Sequence, residues 1–259
     1  METDGIQRDG IRRGDAVVVT GAGGGFGRAF CLRFARGGAR IAAWERNAES
    51  GEETVRQVRD AGGEAIFIPV DLGERSQIDN ASVATRSAFG TPYCIVNNAS
   101  IFPRGSVLTL PPEDWERTLR VNITAPFLIL KAFGPDMTAQ GRGVVINICS
   151  GRAIEGARNG SNYAASKAAL LSLTKSLALE WAKHNIRVNA IIPGVSMTAM
   201  PLEDTTPEEL VARSKQSIPL GRPGYPEDMA GLAAYLASSD AAFMTGQGVA
   251  MNGGKVLIP

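Results

Sequence analysis

The chain has 259 residues, of which 44% are hydrophobic and 20% are charged, and its formal net charge is +1. This length and balance are typical of one soluble globular domain, and a net charge near zero argues against nucleic acid or a membrane surface as a partner. No apolar run approaches the roughly 20 residues that cross a membrane, and residues 1–13 lack the apolar core of a signal peptide. We therefore predict a cytoplasmic protein whose residues 1–13 form a flexible N-terminal arm.

The cysteines and the single histidine exclude several classes of enzyme. Cys31, Cys94 and Cys149 are scattered and form no Cys-x-x-Cys pair, which indicates reduced thiols rather than a disulfide framework. His184 alone cannot build a metal site, and there is no Cys/His cluster to replace it, so we predict no metal. The Gly-x-Ser-x-Gly elbow of serine hydrolases is also missing. Metalloenzymes and hydrolases are therefore excluded.

Apolar runs and amphipathic segments alternate along the chain. The predicted strands are 16–20, 39–44, 64–69, 93–97, 143–149, 186–192 and 247–251. The predicted helices are 26–37, 48–61, 74–89, 112–136, 161–184, 203–216 and 226–238. This alternation predicts an α/β fold: a Rossmann-like, doubly wound parallel sheet of about seven strands with helices on both faces, in a single catalytic domain over 14–259. Residues 195–216 break the alternation where ligands bind in such folds, so we expect a substrate lid there.

The first predicted strand runs into a glycine-rich turn. Residues 17–27 read Val-Val-Val-Thr-Gly-Ala-Gly-Gly-Gly-Phe-Gly, and an amphipathic helix follows. Bare backbone amides and a helix N-terminus suit the pyrophosphate of a dinucleotide. The general dinucleotide fingerprint, counted from Gly21 and Gly23, needs a glycine at position 26, where this chain has Phe26. The spacing is instead Thr-Gly-x-x-x-Gly-x-Gly, set by Gly21, Gly25 and Gly27.

The end of the second predicted strand bears on the choice of cofactor. In dinucleotide folds an acidic residue at this point accepts hydrogen bonds from the adenosine ribose and repels a 2′-phosphate, and this chain has Glu45 there. The neighbouring Arg46 acts in the opposite sense, because a guanidinium can pair with a phosphate. Glu45 therefore favours NAD(H), while NADP(H) stays open.

Tyr163 and Lys167 lie four positions apart in a predicted helix. Residues with this spacing share one helix face, with Cβ atoms roughly 5–6 Å apart. A tyrosine normally titrates near 10, and a fixed positive charge nearby lowers its pKa toward the range useful for general acid–base catalysis. Such a pair arises by chance in roughly one chain in ten. Its weight therefore comes from the motifs around it.

Further motifs occur in a characteristic order. After the glycine turn come Asn97-Asn98-Ala99, Asn122 in a helical stretch, Ser150 at a strand end, the Tyr163/Lys167 pair, Pro193-Gly194 and Thr198. This order, with Ser150 thirteen positions before Tyr163, resembles the short-chain dehydrogenase/reductase family in its form of about 250 residues. The resemblance extends from about Gly14 to Gly254.

The resemblance implies an oxidoreductase that interconverts a secondary alcohol and a ketone with NAD(P)(H). In that family the tyrosine exchanges a proton with the reacting oxygen, while the lysine lowers the tyrosine pKa and binds the nicotinamide ribose. The matching residues here are Tyr163 and Lys167; Ser150 would hold the reacting oxygen, and Asn122 would anchor a water that connects Lys167 to solvent. The implied cofactor-binding residues are Gly21, Gly24, Gly25, Phe26, Gly27, Glu45, Arg46, Asp71, Leu72, Asn98, Tyr163, Lys167, Pro193, Val195 and Thr198.

One position of this chain varies among members of the family, and two others depart from the family's usual pattern. Members that prefer NADP often carry a basic residue within the glycine turn, where this chain has Gly24, so NAD(H) is again favoured. Ser100 replaces the glycine that usually follows Asn-Asn-Ala, and its Cβ is expected to remodel the pocket wall. Asn252 replaces the usual acid before Gly253-Gly254, for which we expect no catalytic consequence.

The resemblance also suggests where the substrate and other subunits bind. Ile101, Arg104, Arg152 and Arg158 lie in loops expected to line the substrate pocket. A guanidinium there can pair bidentately with a carboxylate or phosphate, so we expect a small-molecule alcohol or ketone with an acidic group. Helices 112–136 and 161–184 are apolar beyond one stripe, which in this family accompanies a homotetramer.

Three alternative functions remain. Sugar-nucleotide epimerases share the glycine turn and the Tyr/Lys pair, but they tend to be longer and carry a C-terminal substrate domain. A non-catalytic dinucleotide sensor would be indicated by the loss of Ser150, Tyr163 or Lys167, and all three are present. Enoyl reductases of this superfamily space the tyrosine and lysine more widely, so the tight spacing here favours alcohol and carbonyl chemistry.

Overall fold

The computed structural model describes residues 10–257, which form seven strands surrounded by helices. The strands are β1 Ala16–Thr20, β2 Arg40–Glu45, β3 Glu64–Pro69, β4 Cys94–Asn97, β5 Gly143–Ile148, β6 Ile186–Pro193 and β7 Gly248–Met251. The α-helices are α1 Gly25–Arg36, α2 Ala48–Asp60, α3 Arg75–Phe89, α4 Pro112–Leu119, α5 Ala125–Gln140, α6 Arg152–Glu155, α7 Ser161–Trp181, α8 Ala199–Leu202, α9 Pro207–Ser217 and α10 Pro226–Ala237. Within this described part of the chain, no helix is long and apolar enough to cross a membrane.

The strands form one parallel sheet in the order β3-β2-β1-β4-β5-β6-β7. The chain winds outward from β1 to β3, returns to place β4 beside β1, and then winds to the opposite edge. The strand order therefore reverses between β1 and β4, where doubly wound folds bind their ligands. The predicted doubly wound sheet is confirmed.

Helices cover the sheet on both faces. Val17 and Val19 point into one buried cluster with residues of α1, α2 and α10, whereas Val18 points into a second cluster with residues of α3, α5 and α7. Because both faces are covered, every residue of β1, β4, β5 and β6 is buried. Such strands read as largely apolar runs, which is why the sequence predicts them within one residue at each end.

The helices differ from the prediction at three places. The single helix expected over 112–136 is divided into α4, a π-helical turn at Arg120–Thr124 and α5. Periodicity does not predict α6 or α8, because four residues are too few to show a repeat. The helix expected from 203 begins only at Pro207, because Thr206 and Glu209 bond each other's backbone N–H groups, both at 3.2 Å, in a capping box.

Part of the predicted N-terminal arm is packed against the domain. Ile11 contacts one of the core clusters, and its backbone N–H donates to the Ala237 carbonyl at 3.0 Å. Arg142 also donates to the Gly10 carbonyl at 3.1 Å. Residues 10 and 11 of the expected flexible arm therefore contact the domain, because the apolar side chain of Ile11 packs against the core. Residues 1–9 lie outside the described residues.

Candidate active site

A cleft of about 620 Å³ lies at the carboxyl ends of the strands. Most of the predicted site residues line it: Gly21, Gly24, Gly25, Phe26, Glu45, Arg46, Asp71, Leu72, Asn98, Ile101, Arg104, Ser150, Arg152, Tyr163, Lys167, Pro193, Val195 and Thr198. Three predicted residues are not among the lining residues: Gly27, Asn122 and Arg158. The topology thus brings the glycine turn and the Tyr163/Lys167 pair to a single cleft.

At the glycine turn, the cleft is lined by backbone atoms of Gly21, Gly24 and Gly25. Gly21 and Gly25 have φ values of +63° and +49°, which side chains rarely adopt. A Cβ at Gly27 would lie only 1.9 Å from the Gly21 carbonyl oxygen, so Gly27 is needed for packing beneath the turn. Gly24 faces open space instead, and α1 begins directly after it without a side-chain cap among the described residues. The first amides of α1 are thus available to a phosphate, and the cleft fits a dinucleotide.

Thr20 and Asn98 fix this turn to the next strand. The Thr20 hydroxyl accepts hydrogen bonds from the backbone N–H groups of Asn98 and Ala99 at 3.0 and 3.1 Å. The Asn98 amide in turn donates to the carbonyls of Thr20 and Gly21 at 2.9 and 3.1 Å. Sequence reasoning gives Thr20 no role, although a buried hydroxyl ending an apolar strand is a signal for one.

Glu45 and Arg46 have different surroundings at the end of β2. The Glu45 carboxylate accepts three backbone hydrogen bonds, from Gly23 at 3.0 Å, Arg46 at 2.8 Å and Asn47 at 3.0 Å. It is therefore held against the glycine turn. The Arg46 guanidinium is exposed and lies 3.8 Å from the Asp71 carboxylate. A 2′-phosphate bound by Arg46 would have to compete with the Asp71 carboxylate for the guanidinium.

Tyr163 and Lys167 lie on the inner face of α7, where both are buried. The Lys167 ammonium lies 5.6 Å from the centroid of the Tyr163 ring. Its hydrogen bond, however, goes to the Ile148 carbonyl at the end of β5, at 2.8 Å. The pair is therefore close, as predicted, but the ammonium binds the β5 backbone.

The pKa values in this pair run against the prediction. Burial raises the pKa of Tyr163 above its ordinary value, and the opposing hydrogen bonds from Ser150 and Ser100 and the charge of Arg152 do not offset it. Lys167 is not among the groups that lower the Tyr163 pKa. Burial also lowers the pKa of Lys167 to about 8. The predicted depression of the Tyr163 pKa by Lys167 is wrong for this structure, because desolvation outweighs a charge that faces Ile148.

Two serines, Ser150 and Ser100, lie near the Tyr163 hydroxyl. Ser150, which follows β5, lies close enough to lower the Tyr163 pKa, and its hydroxyl accepts from the Arg152 backbone N–H at 3.2 Å. Ser100 approaches Tyr163 from the loop after β4, so the residue that replaces the usual glycine adds a second hydroxyl to the site. Cys149 lies beside them, and burial raises the pKa of its thiol to about 12. The protonated thiol is a poor nucleophile, which leaves the hydroxyl groups as the reactive set.

Asn122 does not line the cleft but is buried next to residues that do. The π-helical turn places it on the buried side, where its oxygen accepts from the Ile101 backbone N–H at 2.9 Å. Its amide donates to the Ile101 carbonyl and to the Ser166 hydroxyl, both at 3.0 Å. These bonds connect the loop after β4 to α7, the helix that carries Tyr163. The side chain is thus occupied by protein partners, and its predicted water-anchoring role stays a prediction.

An aromatic stack connects Tyr163 to the predicted lid. The Phe102 ring stacks on Tyr163 with 4.4 Å between centroids and 23° between planes. The Arg104 guanidinium lies 5.1 Å from the centroid of the Phe102 ring and forms an ion pair with Asp204, between α8 and α9. Phe102 lies in the loop that is expected to line the pocket, but its stack on Tyr163 is not predicted from the sequence.

The predicted substrate-facing arginines separate into three environments. Arg104 is already paired with Asp204, so its charge is engaged. Arg158 is exposed in the turn between α6 and α7 and is not among the lining residues, so its position does not support the predicted role. Arg152 lines the cleft and lies 4.0 Å from Glu155, with half of its side chain exposed. The lining residues that the sequence does not predict include Arg117, Lys255 and Val256.

The loop after β6 closes the far side of the cleft. The Thr198 methyl group would lie 3.3 Å from a Cβ at Gly25, so this loop approaches the glycine turn closely. Gly194 has no room for a side chain, because a Cβ there would lie 2.7 Å from Asn252 Cα. Pro193, Val195 and Thr198 therefore face the start of α1 across the space where a dinucleotide fits.

Comparisons with known proteins extend over nearly the whole chain. The family model described as enoyl-(acyl carrier protein) reductase matches residues 21–255. The chain is 38% identical over 249 residues to 3beta-hydroxysteroid dehydrogenase 1 of Eggerthella lenta, covering 95% of this chain and 95% of that protein. A 7α-hydroxysteroid dehydrogenase solved with NADH and 7-oxo glycochenodeoxycholic acid superposes with a TM-score of 0.89 at 30% identity, covering 94% of this chain and 95% of that one. A gluconate 5-dehydrogenase from Burkholderia cenocepacia, solved with NADP and tartrate, gives 0.88 at 31% identity, covering 96% and 98%.

These likenesses are not confined to one motif. They span the glycine turn, the whole parallel sheet and the Tyr163/Lys167 helix, and they include proteins solved with NADH and with NADP. Fold, motif order and sequence identity thus agree. The chain belongs to the short-chain dehydrogenase/reductase family of NAD(P)-dependent oxidoreductases.

Proposed function

We propose that this protein interconverts a secondary alcohol and a ketone, with Tyr163 as the general acid–base. One observation carries the proposal: the buried Tyr163 lies near Ser150 in the same cleft that holds the glycine turn. Carbonyl reduction requires a proton donor, a second hydroxyl that positions the carbonyl oxygen, and a binding site for the dinucleotide.

Each residue has a distinct part in the proposed reduction. The nicotinamide cofactor, when bound, supplies the hydride to the carbonyl carbon. Ser150 holds the carbonyl oxygen by donating a hydrogen bond, and Tyr163 donates its proton to that oxygen as negative charge develops there. A Tyr163 pKa raised by burial keeps the phenol protonated at neutral pH, which suits the acid role. Alcohol oxidation uses the reverse transfers.

The experiment that tests this function is a panel of alcohols and ketones followed through NADH and NADPH absorbance. The panel includes neutral secondary alcohols, hydroxy acids and, for the enoyl reductase alternative, an enoyl thioester. Turnover of alcohols or ketones alone supports the proposal, whereas turnover of the enoyl thioester alone contradicts it. Tightly retained NAD without net oxidation or reduction would favour the epimerase alternative, and binding without any turnover would favour the sensor.

NAD(H) is the cofactor that we propose. The Glu45 carboxylate is fixed by three backbone N–H groups beside the glycine turn, where it would accept from ribose hydroxyls and repel a 2′-phosphate. Arg46, the residue that favours NADP(H), lies near Asp71. Gly24 adds no positive charge to the turn. These three features support NAD(H) over NADP(H).

Glu45→Ala should lower the ratio of kcat/KM for NAD to that for NADP by at least about tenfold, because the charge that repels the 2′-phosphate is removed. The measurement is steady-state kinetics with both cofactors at a saturating substrate concentration. Glu49→Ala, in the first turn of α2, is the matched control. An unchanged ratio in Glu45→Ala would make the cofactor assignment wrong.

We also propose that the 195–216 segment is a substrate lid held by Arg104. The Arg104–Asp204 pair joins the loop after β4 to the α8–α9 connection, and Phe102 relays that contact to Tyr163. Lid closure of this kind excludes water from the reacting atoms. The two charged side chains are 44% and 56% exposed, so the pair is a weak latch that can open for exchange of substrate.

Asp204→Asn should raise the substrate KM about two- to fivefold and change kcat little, because an exposed ion pair contributes roughly 0–1 kcal/mol. Glu203→Gln is the matched control, since Glu203 forms no ion pair with any residue of 10–257. Steady-state kinetics at low ionic strength measures both variants. The latch is refuted by equal KM values in the two.

A homotetramer is the assembly that we propose. Leu170 and Leu177 are buried, and Leu173 and Trp181 pack against core clusters, so most of the apolar surface of α7 is used within the subunit. Phe127 on α5 and Leu179 on α7 remain 48% and 85% exposed. Apolar residues left on these two helices support subunit pairing, which light scattering on the purified protein would test.

A further inference from the structure

The segment 252–257 folds back over the cleft and is fixed there by one side chain. The Asn252 amide donates to the Val256 carbonyl at 2.8 Å, and its oxygen accepts from the Gly254 backbone N–H at 3.0 Å. Gly253 and Gly254 reverse the chain with φ values of +66° and +86°. Asn252 itself is buried. One side chain thus satisfies a donor and an acceptor of the turn that it begins.

The turn is also packed against the segment after α9. A Cβ at Gly253 would lie 2.6 Å from Ile218, and one at Gly254 would lie 3.0 Å from Pro219. The Leu220 backbone N–H donates to the Gly253 carbonyl at 3.1 Å. The segment is therefore anchored at its start, and its next residues have a defined direction.

That direction leads to the wall of the active site. Val256 lies 3.1 Å from the position of a Cβ at Gly151, the residue between Ser150 and Arg152. Val256 and Lys255 both line the cleft, as does Arg152. The segment 252–257 and the start of α6 are therefore side by side at the cleft, next to the serine that we propose to hold the reacting oxygen.

The charges at this side of the cleft favour an anion. Lys255 has no carboxylate partner within residues 10–257. Arg152 lies 4.0 Å from Glu155, and both are about half exposed, so this ion pair is weak and Arg152 can reorient. The other two acidic lining residues, Glu45 and Asp71, belong to the glycine-turn end. Two cationic residues and one acidic residue thus line the cleft where the segment 252–257 meets the start of α6.

We propose that Lys255 and Arg152 together bind an anionic group of the substrate, and that Asn252 is the positioning residue that holds Lys255 at the cleft. This inference rests on the proposed alcohol–ketone function and deepens it by naming the substrate class: a hydroxy or oxo compound with a carboxylate or phosphate group. Asn252, for which the sequence predicts no consequence, thereby gains a role. An acid at 252 could accept from Gly254 but, when ionised, could not donate to the Val256 carbonyl.

The test compares anionic and neutral alcohols of similar size. The probes are 3-hydroxybutyrate against 1,3-butanediol, and sn-glycerol 3-phosphate against glycerol, with KM and kcat measured for each. Lys255→Met should raise the KM for the preferred anion about fivefold relative to that for its neutral counterpart, with kcat changed little, and Lys255→Arg should restore the discrimination. Lys215→Met, in α9, is the matched control.

Asn252→Asp should give the same split, since it releases the segment that carries Lys255. A purely structural defect would raise both KM values and lower kcat, so the ratio separates the two roles. If this variant does not fold, the surface substitution Lys255→Met still tests whether the anion site exists. The preferred pair of probes tells carboxylate from phosphate.

Failure of this inference and failure of the proposed function look different. A wild-type protein that oxidises neutral alcohols but shows no preference for either anion overturns the anion site and leaves the alcohol–ketone function standing. An anion preference that persists in Lys255→Met likewise overturns it. A wild-type protein that turns over no alcohol or ketone of any charge removes the proposed function itself.

Discussion

Tyr163→Phe should fold, bind NADH and lose turnover by about a thousandfold, within the 10²–10⁴ range of general acid–base catalysis. The change removes only the phenolic oxygen, and the stack on Phe102 at 4.4 Å is kept. Ser150 and Ser100 both line the open cleft, where water can satisfy their hydroxyls, so the loss of the phenolic oxygen should cost little stability. Thermal unfolding would show that the fold is intact, and NADH fluorescence would show that the cofactor still binds. Steady-state assays of NADH absorbance would show the lost turnover.

Tyr235→Phe is the matched control for this prediction. Tyr235 lies on α10 and is 42% exposed, and its hydroxyl faces the Met244 sulfur at 3.4 Å, away from the cleft. We expect wild-type turnover from that variant. Turnover within tenfold of wild type in Tyr163→Phe would remove the tyrosine from the mechanism. In that case Ser150 would be the next proton donor to test.

The raised pKa of Tyr163 adds a second measurement to the same variant. In the wild type the protonated phenol is the form that reduces a ketone, so kcat/KM for reduction should stay level across neutral pH. Alcohol oxidation needs the phenolate, so its kcat/KM should rise as pH rises toward the Tyr163 pKa. Tyr163→Phe should lose this contrast. A rate of oxidation that does not rise with pH would indicate a different base.

The sequence predicts the strands and their motifs well because both are local properties. Strands covered on two faces are largely apolar runs, and several motif residues come at or just after the end of such a run, as Asn98 follows β4 and Ser150 follows β5. In a parallel sheet these strand ends meet at one edge, so motif order alone brings the glycine turn near Ser150. The cleft could therefore be predicted without coordinates.

What the sequence does not predict depends on packing between distant segments. Nothing local indicates that Phe102 stacks on Tyr163, or that Asn252 directs Lys255 to the wall beside Gly151. The direction of the Tyr163 pKa is wrong at the sequence level for the same reason. Helical spacing gives the distance to Lys167, but burial and the Ile148 carbonyl, which set the electrostatic balance, are products of the whole fold.

Lys167 offers the second large effect. Lys167→Arg should lose turnover nearly as fully as Tyr163→Phe, because the ammonium sits in a buried site fitted to one donor, bonded to the Ile148 carbonyl at 2.8 Å. A guanidinium keeps the charge but is larger, planar and unable to reproduce that single contact. Steady-state kinetics would measure the loss, and Lys175→Arg on the same helix is the matched control. Wild-type rates in Lys167→Arg would show that charge alone suffices.

The stability of the fold should report on the same buried charge. Burial lowers the Lys167 pKa from 10.5 to about 8, so below pH 8 the folded protein must hold an ammonium that the unfolded chain keeps in water. Between pH 8 and 10.5 the unfolded chain binds more protons at this site, so the free energy of unfolding rises with pH, by roughly 3 kcal/mol over the interval. Lys167→Met lacks this site, so the free energy of unfolding of the wild type, measured relative to Lys167→Met, should rise by that amount. Denaturant unfolding at several pH values provides the measurement. A constant difference would mean that Lys167 titrates at its ordinary pKa, and the desolvation argued for both members of the pair would have to be abandoned.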